Sequence, residues 1–237
     1  MSRAYLTSSL VFLLCLSASG CGPVKAEDRG RDLFSQAALS VSPSNAFACA
    51  TCHATTPQGI EPQRFSGHTL YGAPQRPSFW GGNVPRLIDA VNVCLVEFMR
   101  GDPLSLEDPL GLALLSYLRS LSAAPDPARP LSIVLSIDST YLGRLPPGDG
   151  GRGELLFPTA CGYCHGDIHS GKGRLSSRVS ILPDATIAVF GSMARSIIVE
   201  KIRHGKFFHI GGNMPLYATE MLSDAEVADI VEYLMSY

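Results

Sequence analysis

Two copies of one five-residue motif constrain this chain more than any other feature. The motif reads Cys-x-x-Cys-His and occurs at Cys49–His53 and again at Cys161–His165. Two thiols at this spacing can add across the two vinyl groups of a porphyrin, and the adjacent imidazole can reach the iron. A lone Cys-x-x-Cys also occurs in zinc ribbons and redox dithiols, but the His after each copy favours haem. The sequence therefore predicts two covalently attached haem c groups held by six residues, namely Cys49, Cys52, His53, Cys161, Cys164 and His165.

The segments around the two motifs repeat as well. Gly-x-x-Leu-Phe precedes each motif, starting at Gly30 and at Gly153, and predicts a short helix. A second helix is predicted after each motif, because apolar residues recur there with a period of 3.6. A Tyr-Leu pair in these helices begins at Tyr117 and at Tyr233, which lie 64 and 68 residues after the motif histidines. The shared spacing indicates an internal duplication.

Together these features resemble the class I cytochromes c. The resemblance implies a mainly α-helical fold with two tandem class I cytochrome c domains, in which the first and last helices cross at an aromatic–aliphatic contact. We expect these domains at residues 27–124 and 151–237. A Pro/Gly-rich linker is expected between them, at residues 125–150, because its composition is stiff without being regular.

Local signals give finer expectations for the fold. The last helix of each domain is predicted to begin at Asp108, which precedes a proline, and at Ser223, which opens a capping box. Within the linker, residues 133–137 read as a strand that could pair with residues 179–182 in a small β-ribbon.

The amino terminus resembles an export signal. Residues 1–20 contain an early arginine, an apolar run and then small residues ahead of Cys21. Ala-Ser-Gly-Cys is similar to the bacterial lipobox, which implies a lipid anchor at Cys21, while Val24-Lys25-Ala26 offers an ordinary cleavage site instead. We expect an exported protein, in the periplasm or held by lipid on a membrane outside the cytoplasm.

Each haem iron bound by His53 or His165 also needs a distal ligand if it is six-coordinate. For the second haem we predict Met214, in a Gly-Gly-Asn-Met-Pro loop ahead of the last helix, where class I cytochromes carry their ligand methionine. Three histidines are rivals for this role: His169, His204 and His209.

The first copy has no methionine in the corresponding loop. A helix predicted at residues 85–100 carries Cys94 on its apolar stripe and Met99 at the margin of that stripe. The segment from Asn92 to Leu104 looks like that of dihaem thiosulfate dehydrogenases and of the sulfur-oxidation cytochrome A subunit. This resemblance implies that the Cys94 sulfur ligates the first haem. Met99, His68 and a merely buried cysteine remain alternatives.

The expected function is electron transfer between redox partner proteins. One alternative is a thiosulfate dehydrogenase-like oxidoreductase acting at the first haem, and another is a haem sensor with an open iron. An anionic substrate would need basic residues near that iron, and four are available: Arg64, Arg76, Arg86 and Arg100. The net charge of −2 and the lack of a basic stripe argue against a nucleic-acid partner.

Overall fold

The structure is a computed structural model that describes residues 24–121, 132–134, 136–206 and 212–236. The α-helices in these ranges are α1 (Ala26–Ser35), α2 (Cys49–Cys52), α3 (Leu87–Val93), α4 (Pro109–Ser120), α5 (Ser139–Arg144), α6 (Gly150–Phe157), α7 (Tyr163–His165), α8 (Asp184–Phe190), α9 (Ala194–His204) and α10 (Asp224–Met235). π-Helical turns continue α3 and α6, at Cys94–Phe98 and Pro158–Gly162. Short 3-10 turns lie at Ala37–Leu39, Ala73–Gln75, Trp80–Gly82 and Gly191–Met193. The mainly α-helical fold class is confirmed.

None of the helices in the described ranges is long and apolar enough to span a bilayer. The expected export segment at residues 1–20 and the candidate lipid site at Cys21 lie outside the described residues.

The predicted crossing of first and last helices is present in the first half of the chain. Helix α1 packs on α4, and the rings of Phe34 and Tyr117 lie 5.5 Å apart between centroids at 59°. Gly30 lies where the helices touch, and a Cβ there would come within 2.0 Å of the Ala113 backbone oxygen. The two backbones can approach this closely because residue 30 has no side chain.

The second half repeats the same crossing with α6 and α10. The rings of Phe157 and Tyr233 lie 5.8 Å apart at 55°. A Cβ on Gly153 would come within 2.1 Å of the Asp229 backbone oxygen and 2.7 Å of the Tyr233 Cβ. The two halves therefore pack the same Gly, Phe and Tyr pattern at equivalent places.

Both predicted starts of the last helices are confirmed. The Asp108 carboxylate accepts a hydrogen bond from the Leu110 amide at 2.7 Å, with Pro109 as the first helical residue. Ser223 and Glu226 form a capping box: the Ser223 hydroxyl accepts from the Glu226 amide at 3.2 Å, and the Glu226 carboxylate accepts from the Ser223 amide at 2.8 Å.

Each crossing is surrounded by an apolar core of its own. The first core contains Phe34, Ile88, Leu114, Leu115, Tyr117 and Leu118. The second is larger and includes Phe157, Cys161, Ile198, Tyr217, Leu222, Ile230 and Leu234. Direct contacts join the halves, among them a backbone hydrogen bond from the Arg64 amide to the Thr159 carbonyl (2.9 Å) and an ion pair between Lys206 and Glu97.

The predicted β-ribbon is wrong. No strand forms in the described parts of residues 133–137 and 179–182, and the only bridge seen in the described ranges joins Phe79 to Val84. The Val134 carbonyl accepts from His204 Nε2 at 2.8 Å, so its partner is a side chain of α9. The alternating apolar residues of this stretch are explained by burial, since Val134 and Ile137 pack against the second core.

Helix α5 lies inside the predicted linker. Asp138 caps it by accepting from the Tyr141 amide at 2.8 Å. Tyr141 is buried in the second core, where its hydroxyl donates to Asp224 at 2.6 Å. Residues 139–144 are therefore packed structure rather than a plain connection.

Candidate haem sites

The first Cys-x-x-Cys-His motif forms helix α2, with His53 at its carboxyl-terminal cap. Cys49, Cys52 and His53 share the wall of one cavity of about 200 Å³. Burial raises the pKa of Cys49 to about 12 and that of Cys52 to about 11, so both thiols are neutral at physiological pH. The motif thus presents two thiols and an imidazole to a single cavity.

The His53 ring is held by its backbone surroundings. Its Nδ1 donates to the His68 carbonyl at 2.8 Å, and this fixes the tautomer with the lone pair on Nε2. Gly67 lies against the ring, because a Cβ at that position would be 2.2 Å from His53 Cε1. Burial lowers the pKa of His53, which favours the neutral imidazole that a metal requires.

The cavity fits a haem in its chemistry. Its wall carries the two thiols and the imidazole, and most of the remaining lining is apolar or aromatic, including Phe34, Phe47, Leu70, Phe79, Trp80, Leu87, Val91, Leu95, Phe98, Leu114, Leu118, Ile133, Pro215 and Leu216. Ile133, Pro215 and Leu216 come from the second half of the chain. Cys49 and Cys52 would attach the haem, and His53 would bind its iron.

All three candidate distal ligands of the first haem line this same cavity, namely Cys94, Met99 and His68. Cys94 opens the π-helical turn that continues α3, and burial raises the pKa of its thiol. The prediction that Cys94 faces the interior is confirmed. Its role as iron ligand stays a prediction.

The rival ligands differ in their polar contacts. Met99 is buried, with 3% of its surface exposed. His68 Nδ1 lies 3.0 Å from an Arg76 guanidinium nitrogen and 3.2 Å from the Thr69 carbonyl oxygen. An imidazole already engaged at Nδ1 could offer only Nε2 to a metal.

The second motif lies in a π-helical turn and the short helix α7. His165 Nδ1 donates to the Ser180 carbonyl at 2.9 Å, and burial lowers the pKa of His165. Burial raises the pKa of Cys161 and of Cys164 to about 12. This motif therefore holds its imidazole and thiols in the same chemical state as the first.

Met214 lies in a loop that packs against the second core, the core that also contains Cys161. The loop rests on the end of α9: a Cβ on Gly205 would lie 2.3 Å from the Met214 carbonyl oxygen, and Gly205 has φ +57°. Beyond the loop, the Tyr217 amide donates to the Ile202 carbonyl at 2.7 Å. These contacts fix the backbone at the candidate ligand and on its carboxyl-terminal side.

Two rival histidines of the second site have other partners. His204 is buried, with Nε2 bonded to the Val134 carbonyl and Nδ1 3.8 Å from Glu200. His169 Nδ1 bonds the Asp184 carboxylate at 2.8 Å. His209 lies outside the described residues.

Of the four arginines that sequence spacing left unplaced, Arg76 lines the first cavity. Arg64 pairs with Glu226, Arg86 with Asp89, and Arg100 donates to Asn213.

Sequence reasoning missed the carbonyls of His68 and Ser180 that orient the two imidazoles. Each lies 15 residues after its histidine. The equal spacing reflects the duplication. The sequence does not reveal it, because a backbone carbonyl can belong to any residue type.

Within the described ranges, no group of three or more His, Cys, Asp or Glu side chains is arranged to hold a metal ion. A structural zinc site needs four such ligands, whereas a haem brings four nitrogen ligands of its own.

A Cys-x-x-Cys-His motif between two crossed helices is the arrangement that is typical of a cytochrome c domain. Residues 148–234 match the model of the family described as cytochrome C oxidase, cbb3-type, subunit III. That domain implies covalently bound haem c and a role in electron transfer.

No curated protein matches the chain. Among solved structures, it is similar to thiosulfate dehydrogenase (TsdBA) from Marichromatium purpuratum in the "as isolated" form, with 18% sequence identity and a TM-score of 0.43. The match covers 92% of this chain and 47% of the other, so this chain spans about half the length of that structure.

Proposed function

We propose that this protein is an exported dihaem cytochrome c that transfers electrons between redox partner proteins. The observation that carries the proposal is the repeated site: in each half, a Cys-x-x-Cys-His motif has its imidazole Nδ1 bonded to a carbonyl 15 residues later. Such a bond leaves Nε2 directed to a metal and increases its basicity. The two apolar cores support two tandem domains, at about 27–124 and 151–237, with apolar residues of the linker between Val134 and Leu145 packed on the second.

In this proposal each residue of the motif has one task. Cys49 and Cys52 attach the first haem and His53 is its proximal ligand. In the second motif the equivalent residues are Cys161, Cys164 and His165. A bound haem supplies a one-electron iron couple, and the protein sets its potential through the axial ligands and the exclusion of water.

The distal ligands proposed for the two haems differ in character. Cys94 would present a thiolate, which stabilises ferric iron and lowers the potential, whereas the Met214 thioether raises it. The position of Cys94 on the wall of the cavity that Cys49 and Cys52 also line supports the first assignment. The fixed loop around Met214 supports the second. Electrons would then run downhill from the first haem to the second.

Low-temperature electron paramagnetic resonance of the oxidised protein tests these ligands. We expect one low-spin ferric signal of the thiolate–imidazole type and one of the thioether–imidazole type. Cys94→Ala should remove the first signal and leave the second. Two thioether-type signals in the wild type would assign Met99 to the first haem and refute the Cys94 ligation.

A second candidate function is a thiosulfate dehydrogenase-like oxidoreductase acting at the first haem. Arg76 favours it, because a guanidinium on the wall of the Cys94 cavity could hold an anion. Thiosulfate should then reduce the wild-type protein and turn over with an artificial acceptor. Arg76→Gln should raise the KM, while Arg86→Gln, at the exposed residue that precedes α3, serves as the control. Failure of thiosulfate to reduce the wild type would exclude this activity.

Export and anchoring complete the proposal. The signal-like residues 1–20 and the lipobox-like Ala-Ser-Gly-Cys support an exported lipoprotein anchored at Cys21. Cys21→Ser should release the protein from the membrane fraction. A mature amino terminus at Glu27 would instead indicate ordinary cleavage after Ala26.

A further inference from the structure

The two motifs meet at a junction between the halves of the chain. We propose that residues 64–67, with Tyr217 as positioning residue, form the bridge through which electrons pass between the two haems. This proposal rests on the dihaem function proposed above and adds a route to it. The hydrogen bonds at the two ends of the bridge carry the argument.

One end of the bridge contacts the first motif. The Gly67 amide donates to the Cys52 carbonyl at 2.9 Å. Ser66 is buried and lines the same cavity wall as Cys52. Gly67 also packs directly on the His53 ring. Gly67 thus touches both a haem-attaching cysteine and the proximal histidine.

The other end contacts the second motif. The Arg64 amide donates to the Thr159 carbonyl at 2.9 Å, and Thr159 precedes Cys161 by two residues. From the Cys52 carbonyl to Cys161, the route therefore consists of covalent bonds interrupted by two hydrogen bonds. Hydrogen-bonded contacts bring donor and acceptor atoms closer than ordinary van der Waals packing does. Because of these two hydrogen bonds, the route is shorter than the path that follows the polypeptide from Cys52 to Cys161.

Tyr217 holds this junction closed. Its buried hydroxyl lies 2.6 Å from the Ala160 carbonyl oxygen and 3.2 Å from the Arg64 carbonyl oxygen, so its proton is shared between the two halves. Burial raises the pKa of Tyr217 well above its ordinary value. The hydroxyl therefore stays protonated and remains a donor.

The proposed step is a simple electron exchange. With both haems bound, one electron would leave a ferrous iron at one site, which would become ferric, and would reduce the ferric iron at the other site. No bond forms or breaks and no proton moves. Tyr217 does not itself change oxidation state; it sets the distance and orientation of the bridge.

The test is Tyr217→Phe in the full-length protein with both haems attached, compared with Tyr141→Phe. Both variants remove one hydroxyl from an equally buried tyrosine of the second core, but the Tyr141 hydroxyl bonds only Asp224 and Arg203, within the second half. A laser flash reduces less than one equivalent of haem, and absorbance then follows the redistribution of that electron. We expect Tyr217→Phe to slow this redistribution several-fold with unchanged haem potentials, and Tyr141→Phe to leave the rate at the wild-type value.

A second readout is independent of electron transfer. Hydrogen exchange of the backbone amides at residues 64–67 should accelerate in Tyr217→Phe and not in Tyr141→Phe. An unchanged redistribution rate in Tyr217→Phe would overturn the proposal, as would equal slowing in both variants. If Tyr217→Phe fails to fold, Ser66→Ala takes its place in the same rate measurement. A slower redistribution would then support the bridge, and an unchanged rate would overturn it. Failure of the dihaem function is separate, because it would appear beforehand as fewer than two haems per chain.

Discussion

Replacing Gly153 with alanine should separate helices α6 and α10, although alanine is the better helix former. The added Cβ would lie 2.1 Å from the Asp229 backbone oxygen, an atom that cannot rotate away. The matched control is Gly150→Ala in the same helix. There the new Cβ would lie 3.8 Å from Tyr233 backbone atoms, which is ordinary contact.

The magnitude follows from two opposing effects. Alanine in place of glycine favours a helix by about 0.8–1 kcal/mol. Overpacking at a rigid contact costs about 1–3 kcal/mol, and spreading the helices would also weaken the Phe157–Tyr233 ring contact, worth about 0.5–1.5 kcal/mol. We expect Gly153→Ala to lower the free energy of unfolding by about 1–3 kcal/mol in total. Gly150→Ala should leave it unchanged or raise it by up to about 1 kcal/mol.

Urea unfolding of Gly153→Ala and of Gly150→Ala, each with its haems attached, measures this difference. Far-ultraviolet circular dichroism monitors the unfolding. Gly30→Ala should show the same loss in the first half, since its Cβ would lie 2.0 Å from the Ala113 backbone oxygen. A Gly153→Ala protein as stable as Gly150→Ala would refute the claim that glycine is required by the helix crossing.

Three further predictions concern ligands and pH. Cys94→Met should raise the potential of the first haem in a spectroelectrochemical titration, because a neutral thioether replaces a thiolate; an unchanged potential would exclude Cys94 as ligand. Met214→Ala should lower the potential of the second haem and open it to carbon monoxide, while Met193→Ala, an exposed site, should change neither. The hydrogen bonds from Arg152 hold the pKa of the Asp229 carboxylate below its ordinary value of 3.8. Its contribution to stability is therefore present above that pH and lost as the pH falls further, so the acid-induced drop in Tm should be smaller in Asp229→Asn than in wild type.

Sequence patterns predicted the features that local chemistry or repeated spacing determines. The helix start at Asp108 follows from its own side chain and the proline after it, and the crossing of α6 and α10 is what the resemblance to the class I cytochromes c implies. Cys94 was placed on an interior face by periodicity alone, and it does line the first cavity.

The features that the sequence did not predict depend on contacts with residues far along the chain. Helix α5 has only six residues, and Tyr141 is buried there because Arg203 and Asp224 offer it hydrogen bonds from far along the chain. The apolar stretch around Val134 has the period of a strand. A ribbon would need the Val134 carbonyl as an acceptor, but that carbonyl accepts a hydrogen bond from a histidine of α9. No local signal reveals such partners.

The central claim is that one chain carries two haems, and intact mass spectrometry under denaturing conditions tests it most directly. Thioether bonds survive unfolding, so the wild-type mass should exceed that of the mature polypeptide by two haems. The double variant Cys49→Ala/Cys52→Ala should retain one covalently bound haem, and so should Cys161→Ala/Cys164→Ala. A wild-type mass with a single haem would contradict the account of two equivalent sites, and a mass with none would contradict the assignment of the motifs altogether.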